Sequence, residues 1–163
     1  MFRNYSRFLL TTLTVLFLVY SFKNIRIMEK QDYLKRQIDQ LGRVLGELLA
    51  KITGSGKNTN ASETIEEVSQ VLNENMNWDI DQLLEIPENE FTDTIKENQL
   101  LDDVNIEILA DVLVKVAEHH PSNKKELLKR SLMMYEYLER TNMTFSFTRN
   151  QKMESVKEVL SLM

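Results

Sequence analysis

"DVNIEILADVLVKVAEHHPSNKKELLKRSLMMYEYLERTN", residues 103–142, is the stretch from which the fold follows. Its first half spaces Ile106, Leu109, Ala110, Leu113, Val116 and Ala117 three and four apart, and Val112 broadens the stripe. Such spacing puts these side chains on one side of a helix, and a face this apolar belongs at the centre of a domain. Asp103 or Asn105 stands where a helix of this register opens, and "HHPS" at 119–122 ends it. Ser122 is placed to cap a second helix whose inner face carries Leu128, Ser131, Leu132, Tyr135 and Leu138. Two amphipathic helices and a short turn make an antiparallel hairpin.

The same grammar extends in both directions. After the hairpin, "MTFSFT" leads to a last helix at roughly 149–161 with Met153, Val156 and Leu160 inward. Before it, Asn60 and Glu63 have capping-box spacing ahead of Ile65, Val68, Leu72 and Met76. Trp78, the only tryptophan, reads as a core anchor. Asp79 caps the short "IDQLLEI", Pro87 fits the first turn of the next helix, and Phe91 and Ile95 face inward there. Glycine (4) and proline (2) are scarce, and no β-branched run is bounded by turn residues, so the chain is expected to be all-α.

Nearer the N-terminus, Leu34, Ile38, Leu41, Leu45, Leu48 and Ile52 alternate steps of four and three. This heptad pattern is a candidate self-association seam, a short parallel coiled coil that would make a homo-oligomer. Val44 and Leu49 widen it into a stripe that also suits packing within the chain, the preferred reading. Gly42 and Gly46, one turn apart, would let a neighbouring helix come close. "TGSGKNTN" at 53–60 then interrupts the pattern with a flexible polar connection.

Ahead of this helix, "RFLLTTLTVLFLVYSFK" (7–23) sets an uncharged run, Phe8 to Phe22, between basic side chains. As a helix the run is roughly 22 Å long against a hydrocarbon core of about 30 Å. Tyr5 and Tyr20 lie where interfacial aromatics belong, and Arg7, Lys23 and Arg26 lengthen the span by snorkelling. No A-x-A-like cleavage site follows, so an uncleaved single-pass anchor is expected through residues 8–22. Lys23, Arg26, Lys30, Lys35 and Arg36 outweigh Arg3 and Arg7, which places the body on the cytosolic side. The alternative is translation from Met28, with residues 1–27 an upstream extension and the product a soluble cytoplasmic helical protein. The organisation expected is thus 1–27 anchor or extension, 28–53 amphipathic helix, 54–60 linker, and 61–163 helical domain.

Charge and composition narrow the chemistry. Residues 60–118 hold sixteen acidic against two basic side chains, while both flanks are net basic. An acidic centre repels phosphates, so no nucleic-acid partner is expected. The absence of cysteine excludes disulfides, thiolate nucleophiles and Cys-based zinc sites. There is no phosphate loop, nucleophile elbow or HExxH. Adjacent histidines, His119 and His120, diverge by about 100° on a helix and do not grip one ion together. Acidic pairs such as Asp102–Asp103 fit helix caps. No catalytic, cofactor-binding or metal-binding residue and no enzyme activity is therefore expected.

Three phrases carry a resemblance: "DYLKRQIDQLGRVLGELL" (32–49), "LLEIPENEFTDTIKE" (83–97) and "LLKRSLMMYEYLERTNMTFSF" (127–147). Over residues 28–150 the chain resembles a family of small uncharacterised bacterial helical proteins with a tetratricopeptide-like C-terminal part, here 104–163. Ser131, four positions before Tyr135, matches the small-residue-then-aromatic spacing of such hairpins. The 34-residue period does not recur, and the first helix lacks the Trp-Leu-Gly-Tyr signature. Members begin near Asp32, so residues 1–27 depart from the pattern. The resemblance implies a module that docks a protein partner and supplies no catalytic residues. A purely structural, oligomerising membrane protein is the competing expectation.

Overall fold

In a computed structural model the chain is all-helical, with seven helices and no strand among the described residues. The structure describes residues 3–54, 61–142 and 145–163, with side chains from Ile27 onward save at 61, 62 and 64. The helices are α1 (Arg3–Gly54), α2 (Ala61–Met76), α3 (Ile80–Glu85), α4 (Glu88–Glu97), α5 (Asp103–His119), α6 (Lys124–Thr141) and α7 (Phe147–Ser161). The chain divides into two units, Met1–Gln37 and Ile38–Met163.

In the first unit Ile27, Met28 and Tyr33 are exposed, and the Tyr33 hydroxyl accepts a hydrogen bond from Gln37 Nε2 (3.1 Å). Among the described residues no helix is long and apolar enough to cross a membrane. The side chains of the Phe8–Phe22 run, on which the anchor reading rests, lie outside them, as do Asn60 and most of the 53–60 connection.

The second unit is organised around α5. Leu109, Ala110, Val112, Leu113 and Val116 are fully buried, because the apolar stripe is wide enough to be covered from several sides. α6 packs along α5 as the other half of the hairpin, α2 packs on α5, α7 on α6, and α3 and α4 also lie on α6. Leu41, Leu45, Leu48 and Ile52 of α1 enter the same core. Phe91 and Ile95 are buried as expected, while Trp78 is only half-buried and packs against the core from its edge.

Local chemistry fixes the ends. Asp79 and Gln82 form a reciprocal capping box, with Gln82 N–H donating to Asp79 Oδ1 (2.7 Å) and Asp79 N–H to Gln82 Oε1 (3.0 Å). Asn77 ends α2 at φ 56°, a left-handed conformation that asparagine tolerates better than most side chains. Two caps and one helix start differ from the sequence reading. α5 opens at Asp103, and of the Asp102–Asp103 pair it is Asp102 that caps it, accepting from Asn105 N–H at 2.9 Å, so neither Asp103 nor Asn105 is the cap. Asn123, not Ser122, precedes α6, and its side chain makes no cap bond. α7 begins at Phe147, two residues before the expected start, and Ser146 caps it by accepting from Arg149 N–H. Where several polar residues cluster, pattern alone does not choose among them.

Gly42 and Gly46 part company in the structure. A Cβ on Gly42 would lie 2.6 Å from Asn105 Oδ1. The buried Asn105 amide is held by donating to Ile38 O (3.0 Å) and Leu100 O (2.8 Å), which ties α1 to the start of α5. Gly46 meets nothing within 4 Å, so it does not serve the close approach expected of it. Gly46→Ala should therefore stabilise the protein by about 0.5–1 kcal/mol through helix propensity. Gly42→Ala should cost about 1–2 kcal/mol net, because Asn105 must give up a hydrogen bond. Urea midpoints that move in opposite directions are the expected result.

Candidate functional site

Helical spacing brings five charged residues and a phenol to one place. Glu107 and Asp111 lie one turn apart on α5, Tyr135 and Glu139 one turn apart on α6, and Arg149 and Lys152 share a face of α7. Tyr135 Oη donates to Asp111 Oδ1 at 2.5 Å. Lys152 Nζ bridges Asp111 Oδ2 (2.7 Å) and Glu107 Oε1 (3.2 Å), and lies 6.0 Å from the Tyr135 ring centroid. Arg149, only 4% exposed, reaches Glu139 Oε2 (3.2 Å) and Glu107 Oε2 (3.5 Å). In the amide orientation that satisfies both neighbours, Asn142 donates to Asp103 Oδ2 (2.8 Å) and accepts from Arg149 Nη1 (3.3 Å). The network clasps α7 to the hairpin.

Its electrostatics keep the protons where they are. Burial pushes the Tyr135 phenol well above its ordinary value, and the Asp111 and Glu107 charges push the same way. For Lys152, burial acts downward, but the hydrogen bonds and charges of Asp111 and Glu107 outweigh it and leave the ammonium raised. Both groups hold a proton more tightly folded than unfolded. Their stabilisation is complete below the unfolded values, 10.0 and 10.5, and fades as pH rises beyond them. Unfolding midpoints should accordingly fall from about pH 10 upward. Tyr135→Phe should flatten part of that fall, and one of the five tyrosines should ionise, by absorbance, only as the protein unfolds.

Beside this network opens a cavity of about 550 Å³. Its walls are Leu49 of α1, Val114 of α5, Leu128 of α6, and Val156 and Val159 of α7. Asp111, Tyr135 and Lys152 close one end, and the Lys115–Glu118 ion pair (2.7 Å) lies on its rim. A second hollow of about 520 Å³ lies over Asn105 and Gly42, bordered by Asp39, Arg43 and Asp102. Among the described residues no group of three or more His, Asp or Glu side chains could hold a metal ion.

A different polar group is sunk between α3, α4 and α6. Arg130, 3% exposed, donates from Nη2 to Leu84 O (3.0 Å), pairs with Glu126 (3.2 Å), and stacks its guanidinium 4.7 Å from the Phe91 centroid. Nearby, Lys129 bridges Glu88 (3.1 Å) and Glu126 (3.5 Å) on the surface; the Glu88 hydrogen bond is the main influence raising its pKa. Neither Arg130 nor Arg149 is an expected core residue. The signal was in the spacing: Arg130 falls between Leu127 and Met134 at steps of three and four, and Arg149 stands four before Met153.

Of the six candidate seam residues, Leu41, Leu45, Leu48 and Ile52 are buried in the core of the second unit, while Leu34 and Ile38 are half-buried. On the outside of the second unit, Val104, Phe145 and Phe147 are each more than 60% exposed. The two phenylalanines flank Ser146, the cap of α7. No protein-family model, curated protein or solved structure matches the chain.

Proposed function

We propose that this chain is a membrane-held, tetratricopeptide-like module whose helical body faces the cytosol and docks a partner protein. One observation carries the docking part: Phe145 and Phe147, 65% and 66% exposed, flank a helix cap without being drawn into the core. Two neighbouring exposed aromatic side chains form an apolar spot, and aromatic residues are enriched where protein surfaces meet. The anchor part rests on the Phe8–Phe22 run and its basic flanks, and the tetratricopeptide-like part on the α5–α6 hairpin pattern, the 127–147 phrase and the Ser131–Tyr135 spacing.

Phe145→Ser with Phe147→Ser should leave the circular dichroism and melting of the full chain unchanged, because neither side chain is buried. The same double variant should lose the proteins that cross-link to the wild-type chain in cells. Equal cross-linking by both would remove the docking surface from these residues. Resistance of the full chain to alkaline carbonate extraction tests the anchor independently.

A further inference from the structure

We propose that the cavity walled by α1, α5, α6 and α7 binds an uncharged, mostly apolar small molecule, held at one end by a hydrogen bond from Lys152. At about 550 Å³ it falls within the roughly 300–1,000 Å³ of small-molecule sites. Its inner wall is apolar and its outer side is open. Leu128, Tyr135 and Val156, which line it, are 4%, 1% and 4% exposed, while Thr148, Gln151 and Ser155 on the α7 side stand open to solvent.

Charge accounting selects the chemistry of the occupant. The lining holds Asp111 and Glu118 against Lys115 and Lys152, a balance of zero. Each is already engaged: Lys115 with Glu118, and Asp111 with both Lys152 and Tyr135. A carboxylate or an ammonium entering here finds no unpaired counter-charge and must break one of these pairs to gain a partner, which offsets what it gains. A neutral molecule disturbs none of them. Lys152 has three N–H bonds and two carboxylate partners, which leaves one donor for a ligand oxygen. The occupant is thus an aliphatic or aromatic body ending in a carbonyl or hydroxyl group. Because the exposed phenylalanines take no part, this site stands or falls apart from the docking surface.

Three probes of equal length separate the possibilities: octanamide, octanoate and octylammonium. Each is titrated into the full chain carrying ¹³C-labelled valine methyls, with the shifts of Val114 and Val156 as the readout. Octanamide should shift both methyls saturably and bind roughly tenfold more tightly than either ion. Ser155→Trp, made at an exposed lining position, should fill the space and abolish the shifts while leaving the fold intact. Lys152→Met should weaken octanamide binding several-fold while the Val114 and Val156 shifts stay saturable, and unchanged octanamide affinity would remove Lys152 from the site. Absence of a saturable shift with all three probes, tightest binding by either ion, or undiminished shifts in Ser155→Trp would each overturn the proposal.

Discussion

Replacing Leu41 by aspartate should unfold the second unit rather than merely alter how the chain assembles. Leu41 is 2% exposed and shares its face with Leu45 and Leu48, both in the same core as α5. A carboxylate there has either to ionise among apolar side chains or to hold a proton far above its ordinary pKa, and both routes are expensive. The loss of the buried leucine adds a few kcal/mol of its own. Together these reach about 5 kcal/mol or more, comparable with the whole stability of many domains. Far-UV circular dichroism and urea titration of the full chain should show an unfolded or barely folded variant. A variant that stays well folded but changes oligomeric state would mean that Leu41 faces a second chain, and the seam from Leu34 to Ile52 would then be an interface.

What the sequence made legible was periodic, and what it hid was polar. The stripe from Ile106 to Ala117 located the central helix because apolar side chains at steps of three and four have one physical use in a small helical domain. Phe91 and Ile95 were readable for the same reason. Arg130 and Arg149 were missed because reading a stripe means looking for apolar residues, and a buried cation occupies a stripe position with the wrong chemistry. Their burial is intelligible only from partners remote in sequence: Leu84 O and Phe91 for Arg130, Glu107 and Glu139 for Arg149. The cavity was equally invisible, since Leu49, Val114 and Val156 come from three separate helices. Gly42 and Gly46 look identical in sequence, and only the buried amide of Asn105 tells them apart.

Leu113→Ala tests the core assignment with the least change of chemistry. Leu113 lies three residues from Val116 and four from both Leu109 and Ala117, and all four are at most 1% exposed. Surrounded by α5's own turns and the helices that cover it, the site has little room to collapse around a smaller side chain. Removing the isobutyl group therefore loses its transfer free energy and leaves most of a cavity behind, about 2–5 kcal/mol in all. For a protein of this size that is a fall of roughly ten degrees in the melting midpoint. Val104→Ala is the control within the same helix: Val104 is 62% exposed, and the change slightly favours helix formation, so its midpoint should stay within a degree or two. If the stripe were instead an open groove for a partner, the two substitutions would melt alike and Leu113→Ala would weaken only binding. Melting the full-length wild type and both variants side by side decides it, and a shift under about two degrees for Leu113→Ala would overturn the core.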